Sequence, residues 1–357
     1  MKIAVGISGG VDSAVSALLL KEAGHDVFGI FMKNWDEEFY PEGECTAESD
    51  FDDVRSVCDD LGIPYYSVNF SKEYWDRVFE YFLYEYSRGR TPNPDVLCNK
   101  EIKFAAFKDL AMKTGADAMA TGHYCRTDMK DGHARLLKGA DPGKDQSYFL
   151  SMLTEKQLEN AVFPIGGLLK SEVRDIARKR GLAVAEKKDS TGICFIGERN
   201  FRKFLKQFLP AKPGEMRSVD GELIGTHEGL MYYTIGQRRG LGIGGRGNGG
   251  RWFVVRKDLE NNVLIVAQDD NTPGLWSKAL ETEKFNFINP VDNDEFDCTA
   301  KFRYRQPDRP VHVKVMDGGI CRIEFKERER AVTEGQFAVL YDGDVCLGGG
   351  VIDKVFI

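Results

Sequence analysis

The chain has 357 residues, 42% hydrophobic and 29% charged, with a formal net charge of −7 at pH 7. That length calls for two or three domains of ordinary globular composition, and no apolar run approaches the roughly 20 residues that a membrane-spanning helix needs. With no leader-like profile ahead of the first strand, and eight cysteines lacking any C-x-x-C pair, a secreted disulfide scaffold and a zinc module are both disfavoured, and a cytoplasmic chain with reduced thiols is expected.

In chain order, the β-branched run at 3–7 predicts a buried parallel strand, and the Ala/Leu-rich segment 12–23, stopped by Gly24, predicts a helix. Between them lies Gly6, Ile7, Ser8, Gly9, Gly10, Val11, Asp12 and Ser13. Glycines there let successive backbone N–H groups converge on one anion at the positive end of a helix. The Lys of a P-loop and the spacing of G-x-G-x-x-G are both missing. The turn instead resembles the S-G-G-x-D-S pyrophosphate loop of the ATP pyrophosphatases. Asp12 fits that likeness if a divalent cation such as Mg²⁺ separates its carboxylate from a polyphosphate.

A strand over 25–32, an acidic loop, a helix over 50–61, a strand over 65–70, helices over 72–87 and 99–113 and a strand over 116–121 continue the alternation. Repetition of this kind implies an α/β, doubly wound parallel sheet with ligands at the carboxyl ends of its strands, where Met32, Gly122 and His123 fall. Met32 suits packing on an adenine ring, although by residue type it is as readily an ordinary core side chain. Residues 36–60 hold eleven acids against Arg55 alone, whereas 199–251 hold ten bases against four acids. An acidic protein can thus present a basic face.

Two loops stand out. Arg88 to Phe104 contains Thr91-Pro92-Asn93-Pro94-Asp95-Val96-Leu97-Cys98, in which two prolines stiffen the chain and Asp95 and Cys98, three apart, share a side if the turn is helical. After a helix over 171–180 comes Asp189-Ser190-Thr191-Gly192-Ile193-Cys194-Phe195-Ile196-Gly197, where Lys187 and Lys188 supply positive charge. Considered alone, Cys194 reads equally as a reactive thiol and as a small buried filler.

The pyrophosphate loop, T-P-N-P-D-V-L-C-N-K-E-I-K-F, A-T-G-H-Y, G-K-D-Q-S-Y-F-L, D-S-T-G-I-C-F-I-G and Y-T-I-G-Q-R-R-G-L, in this order, together resemble the bacterial tRNA-specific 2-thiouridylase family over most of the chain. The resemblance implies conversion of the wobble uridine of tRNAs for Lys, Glu and Gln to 2-thiouridine, with ATP and Mg²⁺ and a persulfide-donating sulfur carrier protein as partner. It implies Cys98 and Cys194 as the catalytic pair, with Cys194 carrying the persulfide, and Asp95 as acid–base carboxylate. Gly6 to Ser13, Met32 and Gly122 match ATP contacts. Asn93, Pro94 and Asp95 match target-base contacts, and His123, Lys144, Asp145, Gln146, Arg303, Tyr304 and Gln336 match positions that meet tRNA. An iron–sulfur cluster on Asp95, Cys98 and Cys194 is an alternative sulfur carrier.

Beyond a basic helix over 200–207, the Gly/Arg run from Gly236 to Arg251 suits close approach to phosphates, and a hairpin is expected over 252–267. From 278 onward, strands alternate with turns and predict an antiparallel barrel or sandwich, as in the family's C-terminal barrel. Expected domains are 1–200 (catalytic), 201–275 (β-rich, tRNA-binding) and 276–357 (barrel). An amide-forming ATP pyrophosphatase would use the same first loop, but no glutaminase-like segment accompanies it, and an RNA-binding module with a vestigial nucleotide site would be indifferent to loss of Ser8, Asp12 and both cysteines.

Overall fold

The computed structural model describes residues 1–35, 47–188, 201–244 and 249–357. Its N-terminal domain is built on a parallel sheet of β1 (Lys2–Gly6), β2 (Asp26–Lys33), β3 (Tyr65–Asn69), β4 (Ala118–Ala120) and a later short strand. Alternate residues of these strands serve opposite faces. Ile3, Val5, Val27, Phe31 and Ala118 pack under the helices Val11–Glu22, Ala47–Leu61 and Lys170–Lys179. Ala4, Phe28, Ile30 and Met119 pack against helical segments 71–87 and 94–113. Burial on both faces explains why the strands read as continuous apolar runs.

Between β4 and the last strand of this sheet the chain makes a hairpin not among the expected elements, β5 (Cys125–Lys130) with β6 (His133–Lys138), whose one local signal is the Asp131-Gly132 turn at φ +53 and +84, before β7 (Ala161–Val162) closes the order β3-β2-β1-β4-β7. The central domain carries β8 (Gly214–Ser218), β9 (Leu223–His227), β10 (Phe253–Asp258) and β11 (Val263–Ala267), the last two forming the expected hairpin.

The C-terminal domain is an antiparallel barrel. β12 (Trp276–Lys284) pairs with β16 (Ile320–Arg330), and the ladder continues through β15 (Arg309–Val315), β14 (Glu295–Lys301), β17 (Phe337–Asp342) and β18 (Val345–Phe356) back to β12. The two-residue strand β13 (Asn286–Phe287) also pairs with β18. Six strands therefore close on themselves, which removes their free edges. β18 has one further neighbour: Val345 and Cys346 pair with Leu137 and Leu136 of β6, so the N-terminal hairpin extends the barrel's sheet.

Candidate functional site

In the order β3-β2-β1-β4, the chain leaves β1 toward β2 on one side while β4 lies on the other. Ligands of such sheets bind at that reversal, beyond the carboxyl ends of the two strands. The turn after β1 is the Ser8 to Ser13 loop. Gly9 takes φ +74, and a Cβ there would come within 2.6 Å of the Asp50 carbonyl oxygen, so only glycine fits. Ser13 Oγ accepts from Ser8 N at 3.2 Å and donates to Gly10 O at 3.0 Å, which holds the turn against the helix Val11–Glu22. Among the described residues, the backbone N–H groups of Gly9, Gly10 and Val11 make no hydrogen bond. They are the orphan donors of a helix start, and with the helix dipole they form an anion cradle.

The turn after β4 closes the other wall. A Cβ on Gly122 would lie 2.8 Å from Asp12 C and Ser13 N, so glycine lets the two loops touch. His123 is buried, its Nδ1 2.8 Å from Thr121 Oγ1. Burial, then the Lys103 charge, hold its pKa well below the ordinary value, so the ring is neutral. Met32 and Phe107 both face Gly6, each 3.3 Å from where its Cβ would stand.

Asp12 has partners that sequence reasoning missed. Lys170 Nζ lies 2.7 and 2.9 Å from its two oxygens, and the Tyr124 hydroxyl donates to Oδ1 at 2.7 Å. The carboxylate expected to face a cation is engaged by protein donors, and no group of three His, Cys, Asp or Glu among the described residues could hold a metal ion. These residues do not fit a protein-held Mg²⁺ on Asp12.

The Asn93 to Cys98 segment lies on the opposite face of the sheet. Asn93 is extended before Pro94 at the first helical position, and Asp95 and Cys98 follow on one helical turn. Winding then widens to a π-helix over Cys98–Phe107, a rare form associated with functional sites. Cys98 is 1% exposed, in the apolar cluster that includes Ala4, Ile102, Phe104 and Met119, with Met32 packed against it. The other cysteine, Cys194, lies outside the described residues with the rest of its loop, as do Arg246 and the acids at 36–46. The chain approaching that loop is visible: Lys187 Nζ bonds Asp50 at 2.8 Å and Asp53 at 2.6 Å, the residues that crowd Gly9. Burial lowers the Lys187 pKa, but the hydrogen bonds to Asp50 and Asp53 outweigh it and leave it raised.

Three domains converge on the segment just before Asn93. Arg90, 5% exposed, reaches Glu85 at 2.8 Å, Glu283 at 3.1 Å, Asp353 at 3.2 Å and the Ile352 carbonyl at 2.9 Å. Thr91 N donates to Glu334 O at 3.0 Å and its carbonyl accepts from Gln336 Nε2 at 2.7 Å, while its hydroxyl is 3.4 Å from Thr234 of the central domain. Lys257, also central, donates to Gly89 O at 2.7 Å. Burial pulls its pKa down to about 8 against the opposing Glu334 charge.

Of the remaining residues read as RNA contacts, Asp145, Arg303 and Tyr304 join domains. Asp145 Oδ1 accepts from Gly139 N and Ser147 N, both at 3.1 Å, and Oδ2 meets Lys301 of β14 at 3.2 Å. Gln146 Oε1 accepts from Tyr124 N at 2.9 Å, and Lys144 is half-buried beside them. Arg303 Nη2 donates to Ile235 O, Ala331 O and Thr333 Oγ1 at 3.0, 2.7 and 2.9 Å, and burial lowers its pKa. Tyr304 packs on Phe149, ring centres 4.4 Å apart.

Family models match along the whole chain: the tRNA methyl transferase HUP domain over 1–198, the tRNA methyl transferase PRC-barrel domain over 202–268 and the aminomethyltransferase beta-barrel domain over 277–352. Near-full-length relatives are more specific than these domain titles. A tRNA-specific 2-thiouridylase MnmA of Alkaliphilus oremlandii is 60% identical over 99% of this chain and 97% of that protein. A second, of Geobacillus kaustophilus, is 61% identical over 99% and 96%, and one of Staphylococcus aureus is 58% identical over 100% and 96%. With this identity across all three domains, the chain belongs to the tRNA-specific 2-thiouridylase family.

Proposed function

We propose that this chain replaces the C2 oxygen of a tRNA uridine with sulfur, using ATP to activate that oxygen and releasing AMP and pyrophosphate. The observation that carries the reading is the cradle at the strand reversal, where the N–H groups of Gly9, Gly10 and Val11 lie at the start of a helix without partners among the described residues. The relatives' 2-thiouridylase names add the substrate and the product, and the amide-forming alternative is not carried forward.

A uridine C2–O bond has a poor leaving group. Transfer of the α-phosphate of ATP onto O2 makes an adenylate, whose AMP leaves once sulfur attacks C2. Developing charge on pyrophosphate would be met by the cradle donors. Mg²⁺, where it takes part, would arrive with the nucleotide's phosphates. Asn93, Pro94 and Asp95 would hold the flipped base, and neutral His123 would line its path. Cys194 would carry a persulfide from a sulfur carrier protein. Cys98 attacks the Cys194 sulfur and breaks its bond to the outer sulfur, which leaves as the 2-thiouridine if it has already bonded to C2 or as hydrogen sulfide if it has not. Either route forms a Cys98–Cys194 disulfide that a reductant must open. An iron–sulfur cluster, if it were the sulfur carrier, would draw on Asp95 and Cys98, which share a helical turn, and on Cys194 outside the described residues. Arg238, Arg239 and Arg251 are exposed, and their side chains make no ion pair among the described residues, which suits them to phosphates.

The test is mass spectrometry of nucleosides from unmodified tRNA incubated with the protein, ATP, Mg²⁺ and a persulfide donor. Thiolation at C2 of the wobble uridine, dependent on ATP, is expected. Unchanged uridine under these conditions overturns the reading.

A further inference from the structure

A carboxylate inside an anion cradle is an electrostatic contradiction unless something cancels it. In this chain the cancelling charge is a lysine 158 residues away in sequence. Lys170 opens the helix Lys170–Lys179, whose Val173 and Ala177 share a core cluster with Val11, Ala14 and Leu18 of the cradle helix. Its position is fixed from two sides. Lys170 N donates to Asp141 Oδ2 at 3.0 Å, and Leu169 N donates to Glu172 Oε2 at 2.7 Å. The lysine side chain is 11% exposed and that of Asp12 33% exposed, so the ammonium sits beneath a carboxylate whose outer side opens onto the loop. Tyr124, buried and bonded to the same carboxylate, keeps the pair from turning away.

Resting on the nucleotide reading above, we propose that Lys170 is a nucleotide-binding residue, its ammonium being the protein's own countercharge for the polyphosphate of ATP. In the free chain it rests on Asp12. When ATP enters, the flexible four-carbon stem lets the ammonium turn toward the phosphates, where lysine acts as a point charge. In the adenylation step, a bond forms between the uridine O2 and the α-phosphorus while the α-phosphorus to bridging-oxygen bond breaks, and the electron pair leaves on pyrophosphate. Lys170 stays protonated throughout and stabilises that departing charge.

Full-length Lys170→Met, Lys170→Arg, Asp12→Asn and the double variant Asp12→Asn/Lys170→Met separate this role from simple neutralisation of Asp12. Affinity for α,β-methylene-ATP with Mg²⁺ and for AMP is read by titration calorimetry, with melting temperatures recorded without nucleotide. Lys170→Met should bind the ATP analogue at least tenfold more weakly and AMP within twofold of wild type, with Lys170→Arg recovering part of the loss. Against an Asp12→Asn background, where nothing remains to neutralise, removing Lys170 should still cost tenfold or more. Equal analogue affinity in Asp12→Asn and the double variant would overturn the proposal, as would parallel loss of analogue and AMP. Wild-type protein that binds no analogue would overturn the nucleotide reading and this proposal with it, whereas wild-type binding matched by Lys170→Met overturns this proposal alone.

Discussion

His123 shows how a single buried side chain ties stability to pH. Its folded pKa lies well below the 6.5 of a free imidazole, so the unfolded chain binds more protons as pH falls. Stability from this residue is therefore complete above about pH 6.5 and is lost as pH drops below it toward the folded value. Denaturant unfolding at pH 7.5 and 5.5 should show a smaller drop for His123→Gln than for wild type, and an equal drop would mean that the folded ring takes up a proton as readily as the unfolded one. The division of labour proposed for the two cysteines can be resolved by labelling. Cys194→Ser should fail to accept a labelled persulfide, whereas Cys98→Ser should accept it, retain the label after tRNA and ATP are added, and yield at least about a hundredfold less 2-thiouridine. Undiminished product from Cys194→Ser would reverse the assignment. The glycine turn proposed to cradle the phosphates is legible in the sequence because its geometry is local, a turn between a strand and a helix. Lys170 and Tyr124 are not, because only the packed sheet brings residues 170 and 124 to Asp12. Charge repulsion at Asp12 follows from the sequence alone, while the lysine that neutralises its carboxylate in the free chain does not.

At the scale of elements, the alternating strands and helices of the first domain follow from apolar periodicity, as does the barrel from its regularly spaced turns. The hairpin of β5 and β6 does not. Its residues Cys125-Arg126-Thr127-Asp128-Met129-Lys130 carry little hydrophobic alternation, since β6 is supported by β18 from another domain and tertiary pairing overrides weak local preference. The segment carrying Asn93 and Asp95 likewise takes its position from elsewhere. Gly335 adopts φ +87, and a Cβ there would lie 2.9 Å from Thr91 N. Gly335→Ala should lower stability by about 1–2 kcal/mol through the left-handed backbone alone. The same change should reduce 2-thiouridine formation more than that, because the alanine pushes on the loop segment leading to Asn93. Thermal melts and product yield measured side by side check it, and activity that falls only in step with the folded fraction would refute it.

At the scale of the whole molecule, a net charge of −7 gives little hint of affinity for RNA, yet exposed Arg238, Arg239 and Arg251 lie together in the sequence of the central domain. Replacing the three with Gln should weaken tRNA binding and flatten the slope of log affinity against log salt by roughly 0.7 to 0.9 for each phosphate no longer neutralised. Filter binding over a salt series measures it, and an unaltered slope would return these side chains to solvent.

The strand β18 belongs to two domains at once, closing the barrel while pairing with β6 of the N-terminal domain. The two residue pairs of that shared ladder, with the ion pairs of Arg90 to Glu283 and Asp353 and of Asp145 to Lys301, couple the melting of the N-terminal domain to that of the barrel. The central domain is joined differently, by side-chain and loop contacts such as Lys257 to Gly89 and Arg303 to Ile235. Scanning calorimetry should accordingly resolve a larger endotherm for the joined pair and a smaller one for the central domain. Amide exchange should protect Leu136, Leu137, Val345 and Cys346 to the same free energy as the centre of the barrel. A hinge at that seam would have to break the β6–β18 pairing and the Arg90 ion pairs, whereas movement of the central domain would break only side-chain and loop contacts.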